Sequence, residues 1–172
     1  MATYLGFLRA INLGSTRKFP KTDIVAATEA AGFTDVATHI NTGNVRFATR
    51  MRSRARIEEA LEAAYLADRG FEVPTIVFTP AELCAVVEEA DDVRGDRDGT
   101  HYVSLLKEEP STALVARIEA ASTDRDLARV RGRAVHLVVA DPYHSAGLTN
   151  AEVERELGFA TNRNLKVLRA IV

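Results

Sequence analysis

The sequence predicts an α+β fold built from two compactly packed halves, and three observations lead to this prediction. Strand-like and helix-like segments alternate over residues 1–79 in the order β-α-β-β-α-β, which is the order of a ferredoxin-like unit. A polar stretch over residues 91–99 then interrupts the apolar pattern. A related β-α-β-β-α order with a C-terminal helix follows it. We therefore expect a ferredoxin-like half at residues 1–79, a connecting helix and polar linker at 80–100, and a second α+β half at 101–172.

Apolar periodicity and turn residues set the predicted elements of the first half. Gly32 and Gly70 each follow a helical stripe, and glycine readily adopts the left-handed conformation that closes a helix. Thr42-Gly43-Asn44 separates two β-rich runs and predicts a hairpin, because Gly and Asn tolerate the positive φ that tight hairpins need. The predicted elements are a strand at 3–9, a helix at 21–31, strands at 36–41 and 45–49, a helix at 54–69 and a strand at 73–79.

The second half repeats the order of the elements, although not their sequence. Residues 160–172 fit two interpretations: Leu165, Leu168 and Val172 have helical spacing with Thr161 as the cap, whereas a repeat of the first half requires a strand. We predict the helix. The other predicted elements are a connecting helix at 80–90, a strand at 101–107, a helix at 111–121 capped by Ser111, a hairpin of 127–130 and 134–140, and a helix at 149–157.

Composition and charge restrict the class of protein. Hydrophobic residues make up 47% and charged residues 27%, which is typical of a globular chain rather than a disordered one. The lone Cys84 lies in an apolar helical pattern, so we expect a buried thiol and no intrachain disulfide. No apolar run approaches the roughly 20 residues of a spanning helix, and the N-terminus lacks a signal-peptide pattern. We expect a cytoplasmic protein that does not associate with membranes.

The charge is unevenly distributed along the chain. The net charge is −2, but residues 1–56 contain nine Lys and Arg against three Asp and Glu, a local balance of +6. The remaining residues then carry −8. This asymmetry indicates an anionic partner for the basic part, and the alternative is a solvated basic face.

Four short motifs, spread over nearly the whole chain, resemble those of one bacterial family. They are Phe7-Leu8-Arg9-Ala10-Ile11-Asn12-Leu13-Gly14, Gly32-Phe33, Thr42-Gly43-Asn44-Val45 and Ala160-Thr161-Asn162-Arg163-Asn164. The chain resembles domain-of-unknown-function family sixteen ninety-seven. The resemblance implies two α+β halves in one compact protein, with no established activity. This chain departs from the family pattern at Ser15, Thr42 and Leu165, where the family more often has Gly, Ser and an aromatic residue.

The candidate ligand site lies where the first strand meets its loop. The right-handed crossover rule makes strands one and two parallel, so the loop at 10–20 and the hairpin at 42–44 leave the sheet at the same edge. Gly-Ser backbone, hydroxyl, amide and cationic groups are the donors that phosphate or carboxylate recognition needs. We expect a small anionic ligand there. The candidate binding residues are Arg9, Asn12, Gly14, Ser15, Arg17, Lys18, Thr42, Gly43 and Asn44.

A structural role is the alternative for the same residues. Asn12 and Asn44 would then bond only to turn backbone, with Arg17 and Lys18 solvated. The closing motif adds Thr161, Arg163 and Asn164 to the candidate set. We expect Arg163 either to lie near residues 9–18 or to pin the C-terminus onto the first half.

Two other functions are less well supported by the sequence. A nucleic-acid-binding module needs aromatic side chains on the open face of its sheet, and strand one offers Tyr4 whereas strand three offers only Arg46 and Ala48. The other is an enzyme acting on a phosphorylated small molecule. Its candidate residues Asp141, His144 and Ser145 stand too close together in one loop to form a relayed triad, so we assign no catalytic residue. His39, His101 and His136 lack metal-ligand spacing, and we expect no metal and no cofactor.

Overall fold

The chain folds into two units, each an α+β arrangement of a sheet with helices. A computed structural model describes residues 1–39, 43–140, 142–143 and 146–172. The first unit spans Met1–Pro80 and the second Ala81–Val172. In the part of the chain that the structure describes, each unit contains a four-stranded antiparallel sheet. The predicted α+β fold is therefore confirmed.

The first unit has the predicted ferredoxin-like order. Its strands lie in the sheet as β2-β3-β1-β4, with every neighbouring pair antiparallel. Local signals mark both ends of α2. The Ser53 side chain accepts the N–H of Arg56 at its start, and Gly70 closes it with a φ of 73°. The elements are β1 (Ala2–Leu8), α1 (Lys21–Ala30), β2 (Thr34–His39), β3 (Asn44–Thr49), α2 (Arg54–Arg69) and β4 (Thr75–Phe78).

The helices of the first unit cover one face of its sheet, and several aromatic rings meet among the aliphatic side chains of the core between them. Phe19 and Tyr65 meet edge to face with ring centroids 5.2 Å apart, and Phe33 meets Phe47 at 4.8 Å. The buried hydroxyl of Tyr65 lies 2.8 Å from Thr28 Oγ1, which itself donates to the carbonyl of Ile24. Burial raises the pKa of the Tyr65 phenol, so the hydroxyl stays protonated and bonded inside the core.

The second unit repeats this arrangement in its own sheet, ordered β6-β7-β5-β8. A capping box at Thr149, whose N–H is accepted by Glu152, begins α5. The elements are α3 (Pro80–Arg94), β5 (Thr100–Leu106), α4 (Thr112–Glu119), β6 (Leu127–Arg131), β7 (Ala134–Val139), α5 (Asn150–Leu157), β8 (Ala160–Asn164) and α6 (Leu165–Arg169).

The closing segment combines the two interpretations of the sequence. Residues 160–164 form strand β8 against β5, so the prediction of Thr161 as a helix cap is wrong. The predicted C-terminal helix is present as α6, and the side chain of Asn164 caps it by accepting the N–H of Lys166 at 2.9 Å. The strand forms although its residues are polar, because the edge of β5 supplies the pairing.

Two predictions around α3 also need correction. The helix continues to Arg94, into the stretch that was predicted as polar linker. Its last turn is held because Arg94 donates to the carbonyls of Arg97 and Gly99, both at 3.0 Å. The predicted buried thiol of Cys84 is instead half-buried.

Glutamate side chains bond the outermost strands of both sheets. In the first unit, Glu58 Oε1 accepts the N–H of Val77 at 2.9 Å and Glu62 Oε1 accepts that of Thr75 at 2.8 Å. In the second unit, Glu119 and Glu154 bond to β6 and β8 in the same way, through the N–H groups of Val130 and Ala160. Each carboxylate belongs to the helix that packs on the strand it bonds.

The helices of the described residues are short or charged compared with a membrane span. None of them is long and apolar enough to cross a bilayer.

Candidate functional site

The loop after β1 and the hairpin after β2 meet at one edge of the first sheet, as the crossover rule predicts. The N–H of Leu8 donates to the carbonyl of Gly43 at 2.8 Å, and Phe7 pairs with Asn44 across the sheet. Gly43 has a φ of 74°, and a Cβ there would lie 2.9 Å from Ile11 Cδ1. The close approach of hairpin and loop therefore requires glycine at this position.

The two asparagines of the candidate site bond to their own turns. The side chain of Asn12 donates to the carbonyl of Phe19 at 3.3 Å and accepts the N–H of Phe19 at 3.0 Å, while its backbone N–H donates to Arg17. Asn44 is buried and donates to the carbonyl of His39 at 3.3 Å. Both therefore have the turn-closing role of the structural alternative, and Asn12 ties the two ends of the loop together.

Arg17 holds the same loop in place through hydrogen bonds to backbone carbonyls. Its Nε donates to the carbonyl of Ala10 at 2.6 Å, and its Nη2 donates to the carbonyl of Glu72 at 2.5 Å. The guanidinium also stacks over the ring of Phe71, 4.7 Å from its centroid. Arg17 is therefore not simply solvated: it fastens the loop to the segment before β4.

The tip of the loop has an unusual backbone. Ala10, Asn12 and Gly14 have φ values of 56°, 55° and 61°, while the residues between them stay at negative φ. Alternation of this kind is typical of a nest, in which successive N–H groups turn toward one concavity. Among residues 1–39 and 43–80, the N–H groups of Leu13, Gly14 and Ser15 donate to no other group.

The tip is also open to solvent, and a lysine follows it in the chain. Residues 12–16 are exposed, and so is Lys18, as the solvated alternative expects for that lysine. Arg9 is half-buried, and its backbone N–H donates to the carbonyl of Pro74 at 2.9 Å. Thr42, the remaining candidate of this group, lies outside the described residues.

The closing-motif candidates belong to the second unit and lie on β8. Arg163 Nη1 donates to Thr161 Oγ1 at 3.0 Å and to the carbonyl of Asn162 at 2.8 Å, and burial lowers the pKa of Arg163 to about 10. The side chain of Asn164 is used in the cap of α6. Their part in ligand binding stays a prediction, as does the placement of Arg163 near residues 9–18.

A buried histidine pair in the second unit was not foreseen from the sequence. His101 Nε2 lies 3.0 Å from His136 Nδ1, and the two side chains are 4% and 0% exposed. Burial is the main cause that lowers the pKa of His101 to about 4 and that of His136 to about 3, so both rings are neutral at physiological pH. The pairing of β5 with β7 places the two histidines on one face of the sheet, and a prediction of the pair would have needed this register.

The described residues contain no candidate metal site. They contain no group of three or more His, Cys, Asp or Glu side chains arranged to hold a metal ion. Asp141, His144 and Ser145 lie outside the described residues.

The sheet of the first unit does not present an open stacking face. Tyr4 packs against Phe47 in the core, with ring centroids 6.1 Å apart. On the opposite face Leu5, Phe7 and Phe78 are buried as well. A nucleic-acid platform of exposed aromatic side chains is therefore absent from the described strands of the first unit.

Comparison with known proteins agrees with the fold and gives no activity. No curated protein matches the sequence. The chain is similar in structure to the conserved bacterial protein SP0830 from Streptococcus pneumoniae, with a TM-score of 0.79 and 19% sequence identity, over 99% of this chain and 96% of that chain. The model of the family described as "Protein of unknown function (DUF1697)" matches residues 1–136. Three of the four motifs lie within the matched residues, and the chain therefore belongs to the DUF1697 family.

Proposed function

We propose that this protein binds a small phosphate- or carboxylate-bearing molecule at the tip of the loop between β1 and α1. The observation that carries the proposal is the alternating backbone at residues 10–14, which leaves the N–H groups of Leu13, Gly14 and Ser15 without acceptors in the described structure. Convergent N–H donors of this kind suit an anion.

The rigidity of the loop supports the proposal. Asn12 and Arg17 were candidate ligand contacts, but their bonds to Phe19, Ala10 and Glu72 hold the tip in place instead. A loop fixed before binding loses less conformational freedom when the ligand arrives. The two residues are therefore positioning residues in this proposal.

Electrostatics supports an anion rather than a neutral ligand. Residues 1–56 carry a balance of +6, and Lys18 is exposed beside the tip. A cation close to backbone donors strengthens hydrogen bonds to phosphate or carboxylate oxygens. We place this function in the cytoplasm as part of the proposal, and a chain with a single cysteine suits a reducing compartment.

The test is a thermal-shift titration of the full chain with inorganic phosphate, glucose 6-phosphate, citrate and a short thymidine oligonucleotide. The informative variants are Lys18→Glu and Ser15→Asp, which place negative charge at the tip. Lys166→Glu is the matched control, because Lys166 is an exposed lysine on α6 in the other unit. A ligand at about 100 times its Kd adds about 2.7 kcal/mol to the free energy of unfolding.

We expect at least one small anion to stabilise the wild type and the Lys166→Glu variant, and to lose this effect in both tip variants. Equal stabilisation of all four proteins would place the anion elsewhere and refute the assignment. Stabilisation by the oligonucleotide alone, with steep loss in salt, would instead support nucleic-acid binding.

A further inference from the structure

The second unit contains a cavity of about 460 Å³ that is separate from the loop discussed above. It lies between α4 and α5, over β6 and β7. Its buried floor is apolar and consists of Ile118, Ala128, Leu137, Leu148 and Val153. This volume falls in the range of about 300–1,000 Å³ that small-molecule sites occupy.

One carboxylate in the cavity wall lacks a compensating charge. Asp126 is 8% exposed, and its Oδ1 accepts the N–H of Ala140 at 3.1 Å. Within the described part of the chain, no group donates a hydrogen bond to its Oδ2. The carboxylate thus belongs to a largely buried residue and has one oxygen that faces no donor, so a cation or a further donor at that oxygen would stabilise its charge.

The residues around Asp126 keep the carboxylate in place. The N–H of Asp126 donates to Thr123 Oγ1 at 3.0 Å, and the N–H of Thr123 donates to the carbonyl of Asp126 at 2.8 Å. Arg97 also donates to the carbonyl of Thr123, at 3.1 Å. Gly147 leaves the approach to Oδ2 open, since a Cβ there would lie 3.8 Å from that atom.

The rim of the cavity does not neutralise Asp126. Arg117 and Arg155 both pair with Glu156, at 2.5 and 3.4 Å. Glu152 is used by the cap of α5, where its bond with the Thr149 side chain lowers the pKa of its carboxyl and keeps it ionised. The lining therefore carries three carboxylates against two guanidinium groups, a surplus of negative charge.

We propose that this cavity binds a small organic cation, an ammonium group on an apolar body, with the ammonium on Asp126 Oδ2 and the body on the apolar floor. The charge of the wall favours a cation, because the carboxylate would repel an anionic head, and a neutral head could donate a hydrogen bond but would bring no compensating charge. The apolar floor favours a hydrocarbon or aromatic body, which gains free energy when it leaves water. The site is independent of the anion site proposed above, since all of its residues belong to the second unit.

The test is isothermal titration calorimetry of the full chain with three matched probes: phenethylamine, 2-phenylethanol and 3-phenylpropionate. We expect saturable binding of the amine, with at least about tenfold weaker binding of the alcohol and the acid, which corresponds to about 1.4 kcal/mol. Asp126→Asn keeps the acceptor for Ala140 and removes the charge. Asp124→Asn is the matched control, because Asp124 is an exposed acid two residues away that does not line the cavity.

We expect Asp126→Asn to weaken amine binding at least about tenfold and Asp124→Asn to leave it unchanged. Gly147→Val, which places a branched side chain beside Oδ2, should also abolish binding and provides a second variant if Asp126→Asn does not fold. The proposal is overturned if the wild type binds none of the probes, if the amine and the alcohol bind equally, or if Gly147→Val binds the amine like the wild type.

Discussion

The buried histidine pair makes a specific prediction about stability in mild acid. His101 and His136 have pKa values of about 4 and about 3 in the folded protein, mainly because burial disfavours their charged forms. The nearby Arg94, Arg169 and Arg131 act in the same direction, and Asp91 opposes them at His101. In the unfolded chain both imidazoles titrate near the ordinary histidine value of about 6.5.

Whether stability rises or falls with pH depends on which state, folded or unfolded, binds more protons. Below about pH 6.5 the unfolded chain takes up protons that the folded protein does not, so stability falls as the pH falls toward the folded pKa values. At about pH 5 each histidine, because its pKa is lowered in the folded protein, reduces the free energy of unfolding by about 2 kcal/mol relative to about pH 7.5. The pair should therefore lower the free energy of unfolding by about 4 kcal/mol over this range, where most carboxylates have not yet titrated.

Urea unfolding of the wild type and of a His101→Leu, His136→Leu double variant, at several pH values between about 5 and 7.5, measures this loss. The double variant should lose about 4 kcal/mol less than the wild type over this range, whatever its absolute stability. Equal losses in the wild type and the double variant would refute the reasoning.

Two further predictions concern single side chains. Glu58→Ala should destabilise the protein by about 1–3 kcal/mol, because it removes the buried carboxylate that accepts the N–H of Val77. Its exposed neighbour Glu59→Ala should change the free energy of unfolding by no more than about 0.5 kcal/mol. Chemical denaturation measures both, and equal effects would contradict the prediction. Gly99→Ala should cost about 3 kcal/mol or more, because at its φ of 120° a Cβ overlaps the main chain of β7. Gly95→Ala, with open space around its Cβ position, should cost only about 1–2 kcal/mol, and similar melting temperatures would count against this reasoning.

Local signals explain why much of the fold was predictable. The predicted helix at 54–69 coincides with α2, because Ser53 and Gly70 mark its two ends within the sequence itself. Strand β8 was missed because its residues, Ala160–Asn164, are polar and acquire their strand conformation from pairing with β5. Pairing of this kind depends on a partner about 60 positions away in the chain, which local patterns do not report.

The meeting of the loop and the hairpin was predictable from the sequence, but the bonds of the residues in them were not. The crossover rule brought the loop and the hairpin to one sheet edge from the order of elements alone. Whether an amide or a guanidinium group faces a ligand or the backbone depends on its partners in three dimensions. Asn12 bonds to Phe19, and Arg17 bonds to the carbonyl of Glu72. The histidine pair depends in the same way on the register between β5 and β7.

The glutamate bonds to the outer strands have a consequence for self-association. An outer strand normally presents unpaired N–H groups that can recruit a strand from another molecule and so begin aggregation. Glu58 and Glu62 occupy those donors on β4, and Glu119 and Glu154 occupy donors on β6 and β8. On the remaining outer strand, β2, an irregular register between Thr34 and Ala37 interrupts the flat edge that an incoming strand would need. These carboxylates and the irregularity in β2 leave fewer edge donors for a strand of another molecule, which disfavours edge-to-edge association of the sheets.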